Sequence, residues 1–250
     1  MINSKLVYSH ICSKNLTQSS IERMYYIMEQ NYSSISFLSF KNDLKNKQFI
    51  GLLKDIDNQI QGFTTYAINP FGLGNSEYNI LFSGDTIISP PYWGSQELAK
   101  GWCTTVGGLI SGNPEKKWYW FLLSKGHRTY LYLPLFFKKY YPAVNKSEQA
   151  DLFPIINKCA NAMYGSNWKP KKKVITFNKS HGELKKIHAE TTLKKVKSNV
   201  HIDFFLRRNP GFENGDELTC MTELSIDNMK RFTKNNVLEG MKYPIHFVND

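Results

Sequence analysis

Three side chains that could do acid–base or anion-binding chemistry stand close to the ends of apolar segments. Asp85 lies near the end of segment 77–88, where burial would raise the pKa of a carboxylate and suit it to general-base work. His127 and Arg128 follow the apolar segment 118–124. An imidazole titrates near neutral pH, and a guanidinium can bind a phosphate or carboxylate through two hydrogen bonds. The alternative is structural, with Asp85 bonded to a loop amide and the other two in a surface loop.

The spacing of other residue types excludes several other kinds of site. The six histidines lie far apart and the four cysteines form no C-x-x-C pair, so no metal site is predicted. The chain has no GxxxxGK[ST] phosphate loop, no GxGxxG dinucleotide motif and no G-x-S-x-G nucleophile turn. P-loop nucleotide chemistry and α/β-hydrolase chemistry are therefore not expected.

The composition indicates a globular chain that folds around a core. Hydrophobic residues make up 41% and aromatic residues 14% of the 250 residues, which excludes a disordered tail. Four scattered cysteines exclude a disulfide scaffold, and no segment approaches the roughly 20 apolar residues of a membrane span. The first ten residues, MINSKLVYSH, contain no apolar run typical of a secretory signal. We therefore expect a cytoplasmic protein without a membrane span.

Periodicity predicts helices and strands that would position these side chains. Ser19 and Glu22 have the spacing of a capping box at the start of a helix, with Ser19 as the cap. Segment 69–76 is rich in Gly, Pro and Asn and is predicted to be a loop. Pro134 should bend or interrupt a helix over 128–141. Further helices are predicted at 34–46, 95–112, 150–164 and 182–197, and strands at 5–12, 48–54, 60–68, 77–88, 118–124, 200–208 and 216–224, the last two as a hairpin.

Segment 80–110 combines a strand, a short loop with Pro and Gly, and a helix. A helix that starts directly after a strand directs several backbone N–H groups and the positive end of its dipole at one spot. Such a spot can hold a pyrophosphate without a charged side chain. Because many α/β proteins contain this unit, the spacing alone leaves an anion site and ordinary packing as alternatives.

The order of these elements resembles that of the Gcn5-related N-acetyltransferases (GNAT). In that family a Val/Ile-x-Pro ends the fourth strand, and residues 88–90 have this pattern here. The family's Arg/Gln-x-x-Gly-x-Gly/Ala loop then cradles the pyrophosphate of acyl-CoA. Trp93, Gly94, Gln96 and Leu98 fall on the positions of that loop. Only Gly94 matches well, since Trp93 replaces an Arg or Gln, Gln96 a Gly, and Leu98 the small last residue.

The resemblance implies a fold, an activity and a site. The fold class is α/β (α+β), with a GNAT-like mixed, mostly antiparallel central sheet flanked by helices, in a single domain over 1–250. The activity is transfer of an acyl group, acetyl above all, from acyl-CoA to the amine of a small molecule or peptide by direct attack. An acyl carrier protein is an alternative donor. The implied cofactor contacts are Ile87 or Ile88 through a backbone N–H, Trp93, Gly94, Ser95, Gln96 and Arg128. The implied catalytic residues are Asp85 and His127 as candidate bases and Tyr132, Tyr140 or Tyr141 as the acid for the leaving thiolate.

The positive charge is concentrated in the part of the chain that the resemblance leaves out. The similarity covers 1–142 and 200–224, so residues 143–199 are interpreted as an inserted basic helical segment near the acceptor side. Residues 138–208 contain 16 basic and 5 acidic residues, a net charge of +11 that equals the charge of the whole chain. Charge runs are often solvated surface, but this one could also attract an anionic partner.

Two alternatives to an enzyme stay open. One is a catalytically inactive GNAT-fold binding module, consistent with the departures from the loop motif. The other is a binder of anionic surfaces or nucleic acid through the Lys-rich insertion. The aromatic residues interleaved with the lysines of that segment, Trp168 and Phe177, are few, which disfavours stacking of single-stranded nucleic acid.

Overall fold

The computed structural model describes residues 5–73, 76–144, 150–177, 183–184 and 199–247. Its strands are β1 (Val7–Cys12), β2 (Tyr32–Ser33), β3 (Phe49–Lys54), β4 (Ile60–Leu73), β5 (Ser76–Ile88), β6 (Lys117–Ser124), β7 (Trp168–Lys169), β8 (Val174–Ile175), β9 (Glu183–Leu184) and β10 (Glu217–Glu223). Its α-helices are α1 (Gln18–Asn31), α2 (Phe37–Leu44), α3 (Glu97–Gly112), α4 (His127–Tyr130), α5 (Tyr132–Phe136), α6 (Phe153–Tyr164), α7 (Val200–Arg208) and α8 (Arg231–Gly240). Short 3-10 turns connect several of these elements.

One mixed sheet organises the fold, with strands in the order β1-β3-β4-β5-β6-β10-β8-β7. Neighbouring strands of the described sheet are antiparallel except β5 and β6, which are parallel and joined through α3. The apolar clusters place α3, α5 and α8 on one face and α1, α2 and α6 on the other. The predicted fold class, a mixed and mostly antiparallel central sheet flanked by helices, is therefore confirmed. Within the described residues, no helix is long and apolar enough to cross a membrane.

Helix α1 begins two residues earlier than its sequence pattern predicts. The cap is Thr17, whose Oγ1 accepts a hydrogen bond from the backbone N–H of Ser20 at 3.2 Å. Ser19 is already inside the helix, so the predicted capping role of Ser19 is wrong. A threonine hydroxyl satisfies the first-turn N–H equally well, and this gives the helix a cap at the earlier position.

The predicted loop at 69–76 is mostly strand. Strands β4 and β5 keep their antiparallel register through Pro70↔Asn79 to Leu73↔Ser76. Pro70 is tolerated because β3 pairs with β4 only as far as Tyr66, so the other edge of β4 carries no ladder there. Proline lacks the N–H that such a ladder needs, and edge positions accept it.

The predicted helix over 128–141 is two short helices followed by extended chain. Pro134 lies in α5, which ends at Phe136, and Phe137 is extended, with φ −126° and ψ 153°. Residues beyond it form backbone bridges instead of helical turns, with Tyr141 opposite Met221 of β10. This segment therefore packs against the sheet rather than forming one amphipathic helix.

The predicted strand at 200–208 is wrong, because these residues form α7. Asn199 caps the helix by accepting bonds from the N–H groups of His201 and Ile202. Arg207 and Arg208 stand in the last turn, where they complement the negative end of the helix dipole. These end signals outweigh the aromatic and β-branched residues that suggested a strand.

The predicted C-terminal hairpin is consequently wrong as well. The partner of β10 on that side is β8, with Glu217 opposite Ile175. Strand β8 lies inside the predicted insertion 143–199, which therefore contributes to the central sheet. The helix predicted at 150–164 is confirmed as α6, and the helix predicted at 182–197 lies outside the described residues except for β9.

Two glycines fix α3 against the C-terminal helix. A Cβ on Gly107 would meet the backbone oxygen of Val237, and one on Gly240 would meet the backbone oxygen of Thr104. Only glycine allows the two helix backbones to approach this closely. The position of α3, and of the loop before it, therefore depends on contact with α8.

Candidate functional site

A gap opens between β5 and β6 where their pairing stops. The two strands pair in parallel from Tyr78↔Lys117 to Phe82↔Phe121. Beyond that point β6 continues in register with β10, while the matching edge of β5 has no strand partner among the described residues. The backbone of β5 from residue 83 onward is thus available to an extended ligand that lies in the gap.

The α3 groove lies over this gap on the face covered by α3 and α5. It is lined by Leu98 and Trp102 of α3, Thr129 of α4, Tyr132 of α5, and Ser83 of β5, among others. The walls are mainly apolar and aromatic, which suits the hydrocarbon part of an extended ligand.

Asp85 stands at a bulge in β5 beside the same gap. The register passes from Phe63↔Ile87 to Thr65↔Gly84, so β5 holds an extra residue at this point. Asp85 has a φ of +44°, in the left-handed region that few residues other than Gly, Asn and Asp adopt. The bulge therefore redirects one carboxylate out of the normal alternation of the strand.

The surroundings of Asp85 make it a weak acid. Burial raises its pKa from 3.8 to about 6, while the positive charges of Lys47 and Lys125 oppose that rise, and the carboxylates Asp43 and Glu217 add to it. Lys47 pairs with Asp43 at 3.0 Å, and Lys125 pairs with Glu217 at 3.2 Å. We call these five residues the Asp85 cluster. This raised pKa is the property that the interpretation of Asp85 as a general base requires.

Two aromatic rings border the Asp85 cluster. The Lys47 ammonium lies 5.2 Å from the ring centroid of Phe82, and the Lys125 ammonium lies 5.8 Å from that of Tyr32. The pKa of Tyr32 is raised to about 12 by burial and by the negative charges of Asp85 and Glu217. The ring of Phe82 packs in the cluster with α6, so the Asp85 cluster lies on the face opposite the α3 groove.

The loop before α3 brings together the predicted cofactor residues Trp93, Gly94, Ser95 and Gln96. Gly94 has a φ of +94°, and a Cβ there would meet no atom within 4 Å. Ser95 Oγ accepts the N–H of Glu97 at 3.2 Å, and Gln96 precedes the helix without a side-chain cap bond. The next N–H groups of α3 have no intrahelical acceptor, so this end can receive an anion.

Trp93 and Arg128 meet across the mouth of the gap. The Arg128 guanidinium lies 5.3 Å from the Trp93 ring centroid, and Trp93 Nε1 donates to the carbonyl of Ile88 at 2.9 Å. Trp93 precedes α3 and Arg128 belongs to α4, so the pair joins the two sides of the gap. The sequence predicted both as cofactor contacts but gave no sign that they touch.

The backbone amides of Ile87 and Ile88 point in opposite directions. The N–H of Ser89 donates to Gln61 at the edge of β4, and alternation directs the amide of Ile87 to that side as well. The carbonyl of Ile88 bonds to Trp93, so the amide of Ile88 faces the gap. The side chain of Ile87 packs with α1. Of the two, Ile88 is the one placed to contact a ligand.

The remaining predicted catalytic residues are not all at the gap. Tyr132 lines the α3 groove, and burial raises the pKa of its hydroxyl. Tyr140 is buried against Tyr130, with ring centroids 6.4 Å apart, and burial raises its pKa to about 12. His127 is buried at the first turn of α4 and does not line the groove. The structure therefore brings Asp85 and Tyr132 to the gap and leaves Tyr140 in the core.

The Lys-rich run at 169–173 forms the turn between β7 and β8. The N–H groups of Lys172 and Lys173 donate to the carbonyl of Lys169. Trp168 is buried and donates to Asn157, while Phe177 packs edge-on against Tyr164. The buried ring of Trp168 is therefore not available for stacking on a base. Among the described residues, no group of three His, Cys, Asp or Glu side chains could hold a metal ion.

The gap and its mouth are candidates for holding the extended arm and the phosphates of an acyl-CoA. From Ile88 to Ser83, β5 extends about 15 Å along the gap, a span comparable to an extended pantetheine arm. At the Ile88 end, the Arg128 guanidinium supplies positive charge for phosphates, and the start of α3 supplies N–H groups without an intrahelical acceptor. The other end lies beside Asp85.

Solved structures with a similar arrangement are distant. A conserved protein of Enterococcus faecalis named as a probable N-acyltransferase has a TM-score of 0.40 at 11% identity, over 54% of this chain and 33% of that one. A GNAT family N-acetyltransferase of Escherichia coli, solved with CoA, has a TM-score of 0.34 at 9% identity, over 49% of this chain and 63% of that one. An acetyltransferase of Trypanosoma brucei has a TM-score of 0.36 at 16% identity, over 52% of this chain and 91% of that one. This chain thus spans about a third of the length of the Enterococcus protein and under two thirds of the Escherichia coli one.

No protein-family model and no curated protein matches the sequence. At the TM-scores above, the solved structures assign no activity to this chain. Its function has to be argued from its own geometry.

Proposed function

We propose that this protein is an N-acyltransferase that moves an acyl group, acetyl above all, from acyl-CoA to an amine by direct attack. The observation that carries the proposal is the end of the β5–β6 pairing, which lies between the α3 groove on one face and the Asp85 cluster on the other. A thioester and an amine can reach the same point from opposite faces of the sheet. This arrangement suits a direct transfer without a covalent enzyme intermediate.

The donor is held by the groove side of the site. The start of α3 and the Arg128 guanidinium bind the phosphates of acyl-CoA, and the Ile88 N–H bonds to the pantetheine arm. Trp93 keeps Arg128 at the mouth of the gap. Tyr132, in the groove, is the proposed acid for the leaving thiolate. These contacts leave the acyl carbon at the inner end of the gap.

The acceptor enters from the side of the Asp85 cluster. A carboxylate with a pKa of about 6 is ionised above neutral pH and can still take a proton from the attacking amine. Asp43 and Glu217 add negative charge beside it, which favours a small molecule or peptide with a cationic amine over an acidic one. Lys47 and Lys125 keep the pKa of Asp85 low enough for it to be ionised at working pH.

Calorimetry with CoA and acetyl-CoA, followed by a thiol-release assay with small amines and lysine peptides, tests the proposal. We expect micromolar binding of both ligands and acceptor-dependent release of CoA. The Asp85→Asn variant should bind CoA like the wild type and lose turnover. Absence of binding to either ligand and of transfer from an acyl carrier protein contradicts the proposal. Binding of CoA without turnover on any acceptor identifies a binding module.

A further inference from the structure

The hydroxyl of Ser83 is held by two tryptophans at the inner end of the gap. Trp120 Nε1 donates to Ser83 Oγ at 2.7 Å, and Trp102 Nε1 donates to the same oxygen at 3.3 Å. The two indole rings lie 4.4 Å apart, and all three side chains are buried. One Trp belongs to β6 and the other to α3, so the oxygen is fixed from two elements.

These two hydrogen bonds determine which further hydrogen bond the Ser83 hydroxyl can make. A serine oxygen accepts at most two hydrogen bonds and donates one. Because both acceptor positions are occupied by indole N–H groups, Ser83 can bond to a further group only as a donor. Within the described residues no acceptor for its proton is present, and Ser83 lines the α3 groove. The proton is therefore left for a ligand in that groove.

The position of Ser83 determines which atom of a bound ligand can accept its hydrogen bond. Ser83 is the first residue of β5 after the last parallel pair, Phe82↔Phe121, so it marks the closed end of the gap. Asp85 stands two residues away. A donor whose phosphates lie at the start of α3 has its thioester at this closed end.

We propose that Ser83 is a catalytic residue whose hydroxyl donates a hydrogen bond to the thioester carbonyl oxygen of the acyl donor. The proposal rests on the acyltransferase function proposed above. The cationic amine first loses one proton to solvent. As the neutral nitrogen attacks the carbonyl carbon, the electron pair of the C=O bond moves to oxygen, and Ser83 stabilises that oxyanion. Its collapse re-forms the C=O bond and breaks the C–S bond. Asp85 takes the ammonium proton, and CoA leaves as a thiolate that Tyr132 or water protonates.

Kinetics of the Ser83→Ala variant test the proposal. Loss of one preorganised oxyanion donor lowers kcat by about 10²- to 10³-fold in other acyl-transfer enzymes, and we expect a decrease of that order. The Kd for CoA, which has no carbonyl at this place, should stay within about twofold. Ser83→Thr keeps a hydroxyl and should retain most of the activity. Ser124→Ala, at a buried serine of β6 outside the groove, is the matched control and should leave kcat unchanged.

A ligand-side comparison separates the hydrogen bond from a packing effect. Wild-type protein should bind acetyl-CoA more tightly than S-ethyl-CoA, a thioether that lacks the carbonyl oxygen, and Ser83→Ala should remove that difference. If Ser83→Ala does not fold, Trp120→Phe provides the second test. It frees one acceptor position of the serine and should lower kcat by about tenfold without weakening CoA binding.

The outcomes separate this proposal from the proposed function. If the wild type neither binds CoA nor releases it from acetyl-CoA, the acyltransferase function fails. If the wild type is active and Ser83→Ala keeps its kcat and its preference for acetyl-CoA, the role of Ser83 is overturned while the function stands. An equal loss of CoA binding and kcat in Ser83→Ala also overturns it, because that result indicates a structural role.

Discussion

Replacing Asp85 with asparagine is expected to stabilise the protein at neutral pH while it removes the proposed base. Asparagine matches the shape of the carboxyl group and tolerates the φ of +44° at this position. It carries no charge that burial could penalise. The substitution therefore isolates the cost of holding an ionised carboxylate at the bulge of β5.

The magnitude follows from the pKa of Asp85. Its pKa is about 6 in the folded protein and 3.8 in the absence of burial, a difference that corresponds to about 3 kcal/mol. Well below pH 4 the carboxyl is protonated in both states, and its burial does not lower the free energy of unfolding. As the pH rises from about 4 to about 6, the unfolded chain loses the proton first, so the folded state is progressively destabilised. Above pH 6 the whole cost applies.

Urea denaturation of wild type and Asp85→Asn at pH 4 and pH 8 measures this difference. All other titrating groups are shared, so they cancel when the two free energies of unfolding are subtracted. The variant should exceed the wild type by only about 0.5 kcal/mol at pH 4 and by about 3 kcal/mol at pH 8. A difference that stays constant between the two pH values would refute the argument. The pH profile of wild-type kcat/KM should show the ionisation of Asp85. We expect kcat/KM to fall to about a tenth of its maximum at pH 5.

Further substitutions test the loop before α3, the mouth of the gap and the first helix. Arg128→Met should raise the KM for acyl-CoA about tenfold and reduce its salt dependence, with Arg128→Lys in between, as steady-state kinetics at two salt concentrations will show. Gly94→Ala should cost about 1–2 kcal/mol in thermal unfolding, because its φ of +94° is strained for a side chain although no atom obstructs it. Thr17→Ala should cost about 1 kcal/mol in chemical denaturation, whereas Ser19→Ala should change stability by only a few tenths. A larger loss of stability in Ser19→Ala than in Thr17→Ala would show that Ser19, and not Thr17, caps the helix.

The elements that the sequence predicts well are those with local signals. The apolar runs of β3, β5 and β6, and the helical spacing in α1, α3 and α6, reflect which residues are buried, and such patterns appear in the sequence itself. Segment 200–208 was misinterpreted because Phe and Ile suit a strand, while the decisive signals, the cap and the terminal arginines, lie at its ends. The pairing of β8 with β10 joins residues about 40 positions apart, which no local pattern records.

The candidate site also combines residues that a local sequence pattern indicates with residues that only the fold brings together. Asp85 was predicted as a buried carboxylate because its neighbours in the sequence are apolar. Lys125 directly follows β6 and Glu217 begins β10, so these two neighbours of Asp85 meet only through the register of the two strands. Ser83 gave no signal either, since a serine in a strand is unremarkable until two indole N–H groups are found on its oxygen.

The two ends of the central sheet differ in how readily they can accept another chain. At one end, β7 presents two residues, Trp168–Lys169, and then turns into the lysine-rich run. At the other end, β1 presents six residues, and its outer edge has no strand partner among the described residues. Val7 on that strand is 55% exposed. An unpaired edge of this length is a template for strand addition, so self-association by sheet extension would start at β1, far along the sheet from the basic turn.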